Sequence, residues 1–418
     1  MLSKQVLVIS LIIPLIEYYC LVAVHKATKN LGRITRRVAL LLYILLSISV
    51  IVSLIVFRNW ATTEWPNLFM KTLVNLLIGV FFGKFVVAGI MFAGDILILL
   101  KAVAKFLVSI PDRAKRKPVQ ENTITRSQFI SSAALATGAL FTASLGYGMS
   151  NRYRYKLRYV PVSIDSLPKE LKKLRIAQIS DIHTGSFDNP AGVKEGIEMA
   201  LAEKPDIIVF TGDLVNYRSE ELEPYEGILR KLDAPLGVYS VLGNHDYSDY
   251  LNWPSLEAKN KDFEQLKKQQ KAMGWNLLLN ENVILRHNGA EFALIGSENW
   301  GASPRFHKYG DLSKATKGLA ESGIPLKILL SHDPTHWDAK VRPGHPDVNL
   351  TLSGHTHGMQ LGVDFKTFKW SPAQYIYRQW AGLYREGNQY LYVNRGFGFI
   401  GYNGRLGVLP EITLLEII

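Results

Sequence analysis

The chain has 418 residues, 48% of them hydrophobic, and a formal net charge of +12. That charge is confined to residues 1–158, which hold 20 Lys+Arg against 5 Asp+Glu, and the remainder is slightly acidic; a nucleic-acid-binding domain would itself be basic, so no nucleic-acid partner is expected. The single cysteine, Cys20, excludes an intrachain disulfide and a cysteine-based zinc site.

Four apolar segments, 5–24, 38–57, 72–100 and 129–149, occupy residues 1–150. About 20 apolar residues suffice to cross a bilayer as a helix, so a transmembrane helical region of about four spans is predicted. The second segment is uncharged, the first carries Glu17 and Pro14, and the third carries Lys84 and Asp95. The fourth is rich in Ala, Ser and Gly, a composition that suits packing between membrane helices and also a buried soluble helix. Lys84 and Asp95 stand about three helical turns apart. They share a face, are too distant for a direct pair, and are assigned no chemistry. The loops 25–37 and 101–127 are strongly basic, which marks them as cytoplasmic. Four spans then leave the C-terminal domain outside the cytoplasm of an inner (plasma) membrane protein. Arg152, Arg154, Lys156 and Arg158 oppose that orientation, and without the fourth crossing the domain would be cytoplasmic.

Residues 151–173, with Pro161 and Pro168, read as a linker. From 174 to 418 a pattern recurs in which a short apolar run ends in a turn bearing Asp, Asn or His. Residues 175–179 lead to Asp181 and His183, 207–210 to Gly212-Asp213, and 238–242 to Gly243-Asn244-His245-Asp246. Residues 328–330 lead to His332-Asp333, and 348–352 to Gly354-His355-Thr356-His357. Such runs bounded by turns predict buried strands. The intervals 191–203 and 220–232 read as amphipathic helices, so the domain is α/β. Ligands placed just after strand ends converge along one sheet edge. Carboxylate, imidazole and amide oxygen are donors for divalent metals. Asp181/His183 and His355/His357 each stand two apart, a spacing that sends both side chains to one side of an extended backbone. Gly212, Gly243 and Gly354 allow tight turns and close backbone approach. Each motif alone is weak to moderate. All five in order, holding five of the ten histidines, are not explained by scattered core histidines.

In these five motifs, residues 174–418 resemble the calcineurin-like metallophosphoesterase family, in particular its bacterial membrane-tethered or exported members. The resemblance implies a four-layer αββα fold of two packed mixed sheets. It implies that Asp181, His183 and His357 hold one divalent ion, that Asn244, His332 and His355 hold a second, and that Asp213 bridges both. It also implies a metal-bridged hydroxide as nucleophile and His245 over the phosphate as charge stabiliser or acid. Asn244 and His245 then bind substrate, Asp246 and Asp333 are candidates to orient imidazoles or else are solvated turn carboxylates, and Arg395 is a further candidate phosphate contact, with a structural ion pair as its alternative. The ions are Mn, Fe, Zn or Co; the residue types do not choose among them. Asn216 and Met359 depart from the residues many relatives carry, which bears on pocket shape.

Residues 365–385 interleave Phe365, Phe368, Trp370, Tyr375, Tyr377, Trp380 and Tyr384 with Lys and Arg. With Trp300 they are expected to form a lipid-facing rim near the site, or else to pack the rim of the domain. The expected partners are a phosphorylated small molecule or lipid, as substrate, and the bilayer. Three functions remain in view: hydrolysis of a phosphate ester or diphosphate, an inactive metal-binding membrane sensor or scaffold, and an accessory domain of a transporter.

Overall fold

The computed structural model describes residues 4–60, 68–108, 124–365 and 367–418. They form two units, Met1–Tyr147 and Gly148–Ile418.

The first unit contains helices α1 (Lys4–Ala27), α2 (Arg33–Trp60), α3 (Leu68–Val108) and most of α4 (Arg126–Ser150). Among the described residues, three stretches are long and apolar enough to cross a membrane: Arg33–Ile55, Thr72–Leu107 and Arg126–Ser150. The first expected span, 5–24, lies within α1. Helix α3 runs unbroken through Lys84 and Asp95. The Lys84 ammonium lies 2.7 Å from Glu17 Oε1 on α1 and donates to Ser47 Oγ on α2 at 2.8 Å. Tyr43 and Ser47 hydroxyls donate to Glu17 Oε2. A charge taken out of water is tolerated when paired and hydrogen-bonded, so this network ties α1, α2 and α3 together. Small residues set the approach of α3 to α4: a Cβ on Gly83 would stand 2.1 Å from Thr142 Oγ1, and one on Gly138 would stand 2.5 Å from Val87.

The second unit is built on two six-stranded mixed sheets. The first takes β1 (Lys156–Val162), β2 (Arg175–Ile179), β3 (Ile207–Phe210), β4 (Val238–Ser240) and β5 (Trp275–Leu277). The second takes β6 (Glu281–His287), β7 (Ala290–Gly296), β8 (Lys327–Leu330) and β9 (Leu350–Ser353). A short ribbon, β10 (Val363–Asp364) with β11 (Lys369–Trp370), precedes β12 (Gly382–Glu386) and β13 (Gln389–Val393), and β14 (Glu411–Ile417) returns to the first sheet. The strand orders are β1-β14-β2-β3-β4-β5 and β12-β13-β9-β8-β7-β6. Strands β2 to β5 run parallel, as do β7, β8, β9 and β13.

Alternation along the strands builds three cores. Ile176, Val209, Val241, Leu294, Ile328, Leu330 and Leu350 meet between the sheets. Their neighbours Ala177, Ile208 and Phe210 face helices α5 (Pro190–Ala202), α6 (Glu223–Leu229) and α7 (Leu256–Ala272). Ala293, Ile295 and Leu329 pack beneath Trp337 and Val341. Strands buried on both faces are continuous apolar runs, which is how these segments read in the sequence. The stretch expected as a linker contributes β1, which pairs with β14 at the edge of the first sheet.

Candidate metal centre

Every expected ligand follows the C-terminal end of a parallel strand: Asp181 and His183 after β2, Asp213 after β3, Asn244 after β4, His332 after β8, and His355 and His357 after β9. Five of them, Asp181, His183, Asp213, His355 and His357, have left-handed backbone, with φ between 49° and 72°. Asp and His tolerate that region better than most residues. Two glycines make room for the carboxylates: a Cβ on Gly243 would stand 2.1 Å from Asp213 Oδ1, and one on Gly354 would stand 2.1 Å from Asp181 Oδ2. Backbone bonds lock neighbouring loops, from Asp181 N to Gly212 O (2.9 Å), His183 N to Asp213 O (3.1 Å) and Gly354 N to His332 O (2.9 Å).

The side chains converge as two groups, Asp181–His183–His357 and Asp213–His332–His355, each with its donor atoms within 4.8 Å of one another. Asp213 Oδ2 faces both, 3.1 Å from His332 Nε2 and 3.5 Å from His183 Nε2. His183 and His357 present their Nε2 atoms to each other at 3.1 Å, and His355 Nδ1 lies 3.2 Å from His332 Nε2. Two neutral rings can satisfy such a meeting only with one N–H between them, whereas a cation accepts both lone pairs. Asn244 Oδ1 is buried with no hydrogen-bond partner, while its amide donates to Tyr250 Oη at 2.8 Å. The orphaned oxygen, the facing imidazoles and the shared carboxylate oxygen fit a pair of divalent ions.

Electrostatics agree. Burial holds His183 at about 3, neutral and with its lone pair available. Burial raises Asp181 to about 6. Burial also works against charge on Asp213, yet the imidazoles of His332 and His245 hold it well below the carboxylate range. His332 is disfavoured as a cation by burial, but the Asp213 and Asp181 carboxylates push it up to about 10. Without metal, a proton on His332 stands where a cation would neutralise Asp213. Hydrogen bonds set the ligand tautomers: His332 Nδ1 donates to Thr211 O at 2.7 Å, leaving Nε2 for a ligand.

His245 lines a cavity of about 520 Å³ with His183, Asp213, Asn244, His355 and His357. Its Nδ1 donates to Asn216 O at 2.8 Å, so Nε2 is the nitrogen available to a bound molecule. Asp333 Oδ2 lies 3.7 Å from His355 Nε2, beyond hydrogen-bond distance, and its Oδ1 accepts from the Thr335 backbone N–H and hydroxyl instead. Asp246 does something other than orient an imidazole: its carboxylate accepts backbone N–H from Asp213, Leu214 and Gly243 at 2.8–2.9 Å. Arg395 does not line the cavity. It is buried, 2.6 Å from Glu411 and 3.2 Å from Asp364, which matches the structural alternative. Trp380 is likewise buried, in a cluster with Ala373, Ala381 and Val408, and so faces no lipid. Trp300 stacks on His336 at 4.8 Å. Phe365, Phe368, Tyr375 and Ile376 are exposed. Met359 and Tyr377 line the cavity itself. The sequence reading missed Tyr250 as the partner of Asn244, and it named Tyr377 only as part of an aromatic rim, not for the hydroxyl that lies 2.9 Å from His355 Nε2. The only available signal for either was its nearness in sequence to a motif or aromatic run.

Comparison with known proteins agrees with this geometry. The Calcineurin-like phosphoesterase family model matches residues 174–359. A second, described as the transmembrane domain of a probable calcineurin-like phosphoesterase, matches residues 3–152. The uncharacterized metallophosphoesterase YkuE of Bacillus subtilis is 30% identical, covering 70% of this chain and 98% of its own length. The chain belongs to the calcineurin-like phosphoesterases. This phosphoesterase is also similar to a Bos taurus transmembrane protein with metallophosphoesterase domain, at 32% identity over 61% of this chain and 55% of that one. Phosphodiesterase YaeI of Escherichia coli is 27% identical over 58% of this chain and 82% of its own. The calcineurin-like phosphoesterase is thus a membrane protein and a hydrolase with two candidate metal-binding groups.

Proposed function

We propose that this phosphoesterase hydrolyses a phosphate ester or diphosphate of a membrane or envelope lipid. In this reading Asp181, His183 and His357 hold one ion, Asn244, His332 and His355 hold the other, and Asp213 is shared. The observation that carries it is the single Asp213 oxygen within 3.5 Å of an imidazole from each group. When bound, a pair of divalent ions acidifies a water and neutralises phosphoryl oxygens. The protein's share is positioning. Asp213 Oδ1 accepts the His245 backbone N–H at 2.9 Å, holding that residue beside the candidate ligands, and the ring, oriented through Nδ1 to Asn216 O, delivers a proton from Nε2 to the leaving oxygen. Asn244 is fixed by Tyr250 with its carbonyl oxygen free for a ligand. Retention of Asp213, Asn244 and His245 speaks against an inactive scaffold.

A lipid substrate is supported by the apolar lining Phe306, Met359 and Ile400 and by the exposed Phe365, Phe368, Tyr375 and Ile376. The basic loops 25–37 and 101–127 support an inner-membrane protein with its phosphoesterase unit outside the cytoplasm. A reporter fused after Arg158 that is active only in the cytoplasm would reverse that orientation.

The test uses the detergent-solubilised full chain loaded with Mn²⁺. Bis(4-nitrophenyl) phosphate should be turned over, and Asp213→Asn should abolish turnover while leaving the fold intact. Undiminished turnover in that variant, or none in a wild-type chain shown to carry two ions, would overturn the reading.

A further inference from the structure

Beside the metal-ligand cavity lies a second cavity of about 210 Å³. The two share Asn244, Tyr250 and Phe306 as walls. The far side of the second cavity is lined by Asn299, Arg305 and Asp249, among others. These three differ in what they have left to offer. Asp249 is already engaged, by the Lys259 ammonium and by the Tyr309 hydroxyl at 3.0 Å. Asn299 is 2% exposed, and its side-chain Oδ1 has no hydrogen-bond partner. A buried acceptor without a donor is costly, so a donor from a bound molecule would relieve it. The exposed Arg305 guanidinium makes no ion pair or hydrogen bond among the described residues. A planar cation of this kind suits phosphate.

We propose that this second cavity holds the leaving half of a diphosphate, with Arg305 on the distal phosphate and Asn299 Oδ1 accepting a hydroxyl of the group that phosphate carries. The assignment rests on the hydrolase reading above and narrows it from any phosphate ester to a diphosphate. Direction follows from His245, whose ring centroid lies 4.6 Å from that of Tyr250, a wall common to both cavities. A water oxygen bonds to the phosphorus held at the metal ligands, and the bond from that phosphorus to the bridging oxygen breaks. The electron pair leaves with the distal phosphate, which takes a proton from His245 Nε2. The proton lost by water goes to solvent, and His245 is reprotonated from there. A distal phosphate is a weakly basic leaving group, and Arg305 neutralises the charge it gains.

The test is direct binding to the Mn²⁺-loaded full chain in detergent, read by calorimetry, so that turnover is not needed. The probes are methylenediphosphonate, a diphosphate with an uncleavable bridge, and methylphosphonate, which fills only the metal-side position. Arg305→Ala should weaken methylenediphosphonate binding about tenfold and methylphosphonate binding less than twofold, and Arg305→Lys should recover part of the loss. An equal loss for both probes, or no loss for either, overturns the subsite. The residue is exposed, so the variant should fold; its melting temperature is checked against wild type. Turnover of bis(4-nitrophenyl) phosphate by wild type is measured separately. Absence of turnover of both this diester and a diphosphate diester by wild type shown to carry two ions would sink the hydrolase reading, whereas Arg305-indifferent diphosphonate binding would sink only the subsite.

Discussion

Replacing Asp246 by Asn removes a charge without changing shape, and it tests whether the loops of the metal centre are locked from behind. The Asp246 carboxylate is fully buried and accepts four backbone N–H groups. Oδ2 takes those of Asp213 and Gly243, at 2.9 and 2.8 Å, and Oδ1 takes those of Leu214 and Val215, at 2.8 and 3.3 Å. An amide has only one accepting end. Whichever way Asn turns, two of the four N–H groups face an NH₂. A buried donor left without an acceptor costs about 1–3 kcal/mol, so the variant should lose about 2–6 kcal/mol above pH 7, where the carboxylate, raised to about 7 by burial and the Asp213 charge, is ionised. For a unit of this size that lowers Tm by roughly 4–24 °C. The affected loops carry Asp213 and Asn244, so affinity for divalent ions should fall with stability. The assay is thermal unfolding of the detergent-solubilised chain by tryptophan fluorescence, alongside Mn²⁺ titration. A Tm within 2 °C of wild type together with unchanged ion affinity would refute the locking role.

Tyr377→Phe removes the hydroxyl 2.9 Å from His355 Nε2. Partners that orient a ligand imidazole typically contribute 10–100-fold in metal affinity, so one of two Mn²⁺ equivalents should bind about tenfold more weakly, and an unchanged isotherm would contradict this. Metal loading at pH 8 should release about one proton, because His332 is pushed up to about 10 in the metal-free chain and a ligand must be deprotonated. Titration calorimetry in buffers of different ionisation enthalpy reads that proton, and buffer-independent heats would exclude it. Glu221, which accepts the Asn216 and Tyr217 N–H groups, is raised by burial from 4.5 to about 7. A raised folded value means that its contribution to stability is complete below pH 4.5 and is lost as pH rises through about 7. Metal-free wild type should therefore lose more Tm than Glu221→Gln between pH 4.5 and 8, and parallel curves would count against it.

What the sequence made legible, and what it hid, follows from the kind of partner each residue has. The five turns that bring the candidate ligands together could be read because each closes a run of apolar residues buried on both faces, and because the donor types are chemically selective. Asp246 was visible as a member of its motif, but its partners are backbone N–H groups of a loop 31–33 residues away, which no side-chain pattern records. Lys84 was visible as a charge in an apolar helix. Its partner Glu17 lies 67 residues away on another helix, and helical spacing along one segment cannot show it. Residues 156–162 read as connector because a proline within a run counts against a strand. Yet β1 lies at the edge of its sheet, and Pro161 is tolerated there because an outward-facing position donates no ladder bond. Trp380 failed for the opposite reason: the aromatic and basic composition of its stretch suits a membrane interface, but composition does not say which side chains turn inward.

The left-handed backbone at the ligands joins these observations into a statement about when the site forms. Each such residue carries strain on the order of 1 kcal/mol, and five are gathered here. Strain of that kind persists only where the surroundings over-determine it. They do: Asp246 binds the loop after β3, backbone bonds tie that loop to the one after β2 and the loop after β9 to that after β8, and Gly243 and Gly354 leave no room for a side chain against the carboxylates. None of these restraints involves a metal ligand bond. The candidate donor atoms are therefore held together by the fold itself, so a divalent ion would meet them already assembled rather than fold the loops around it.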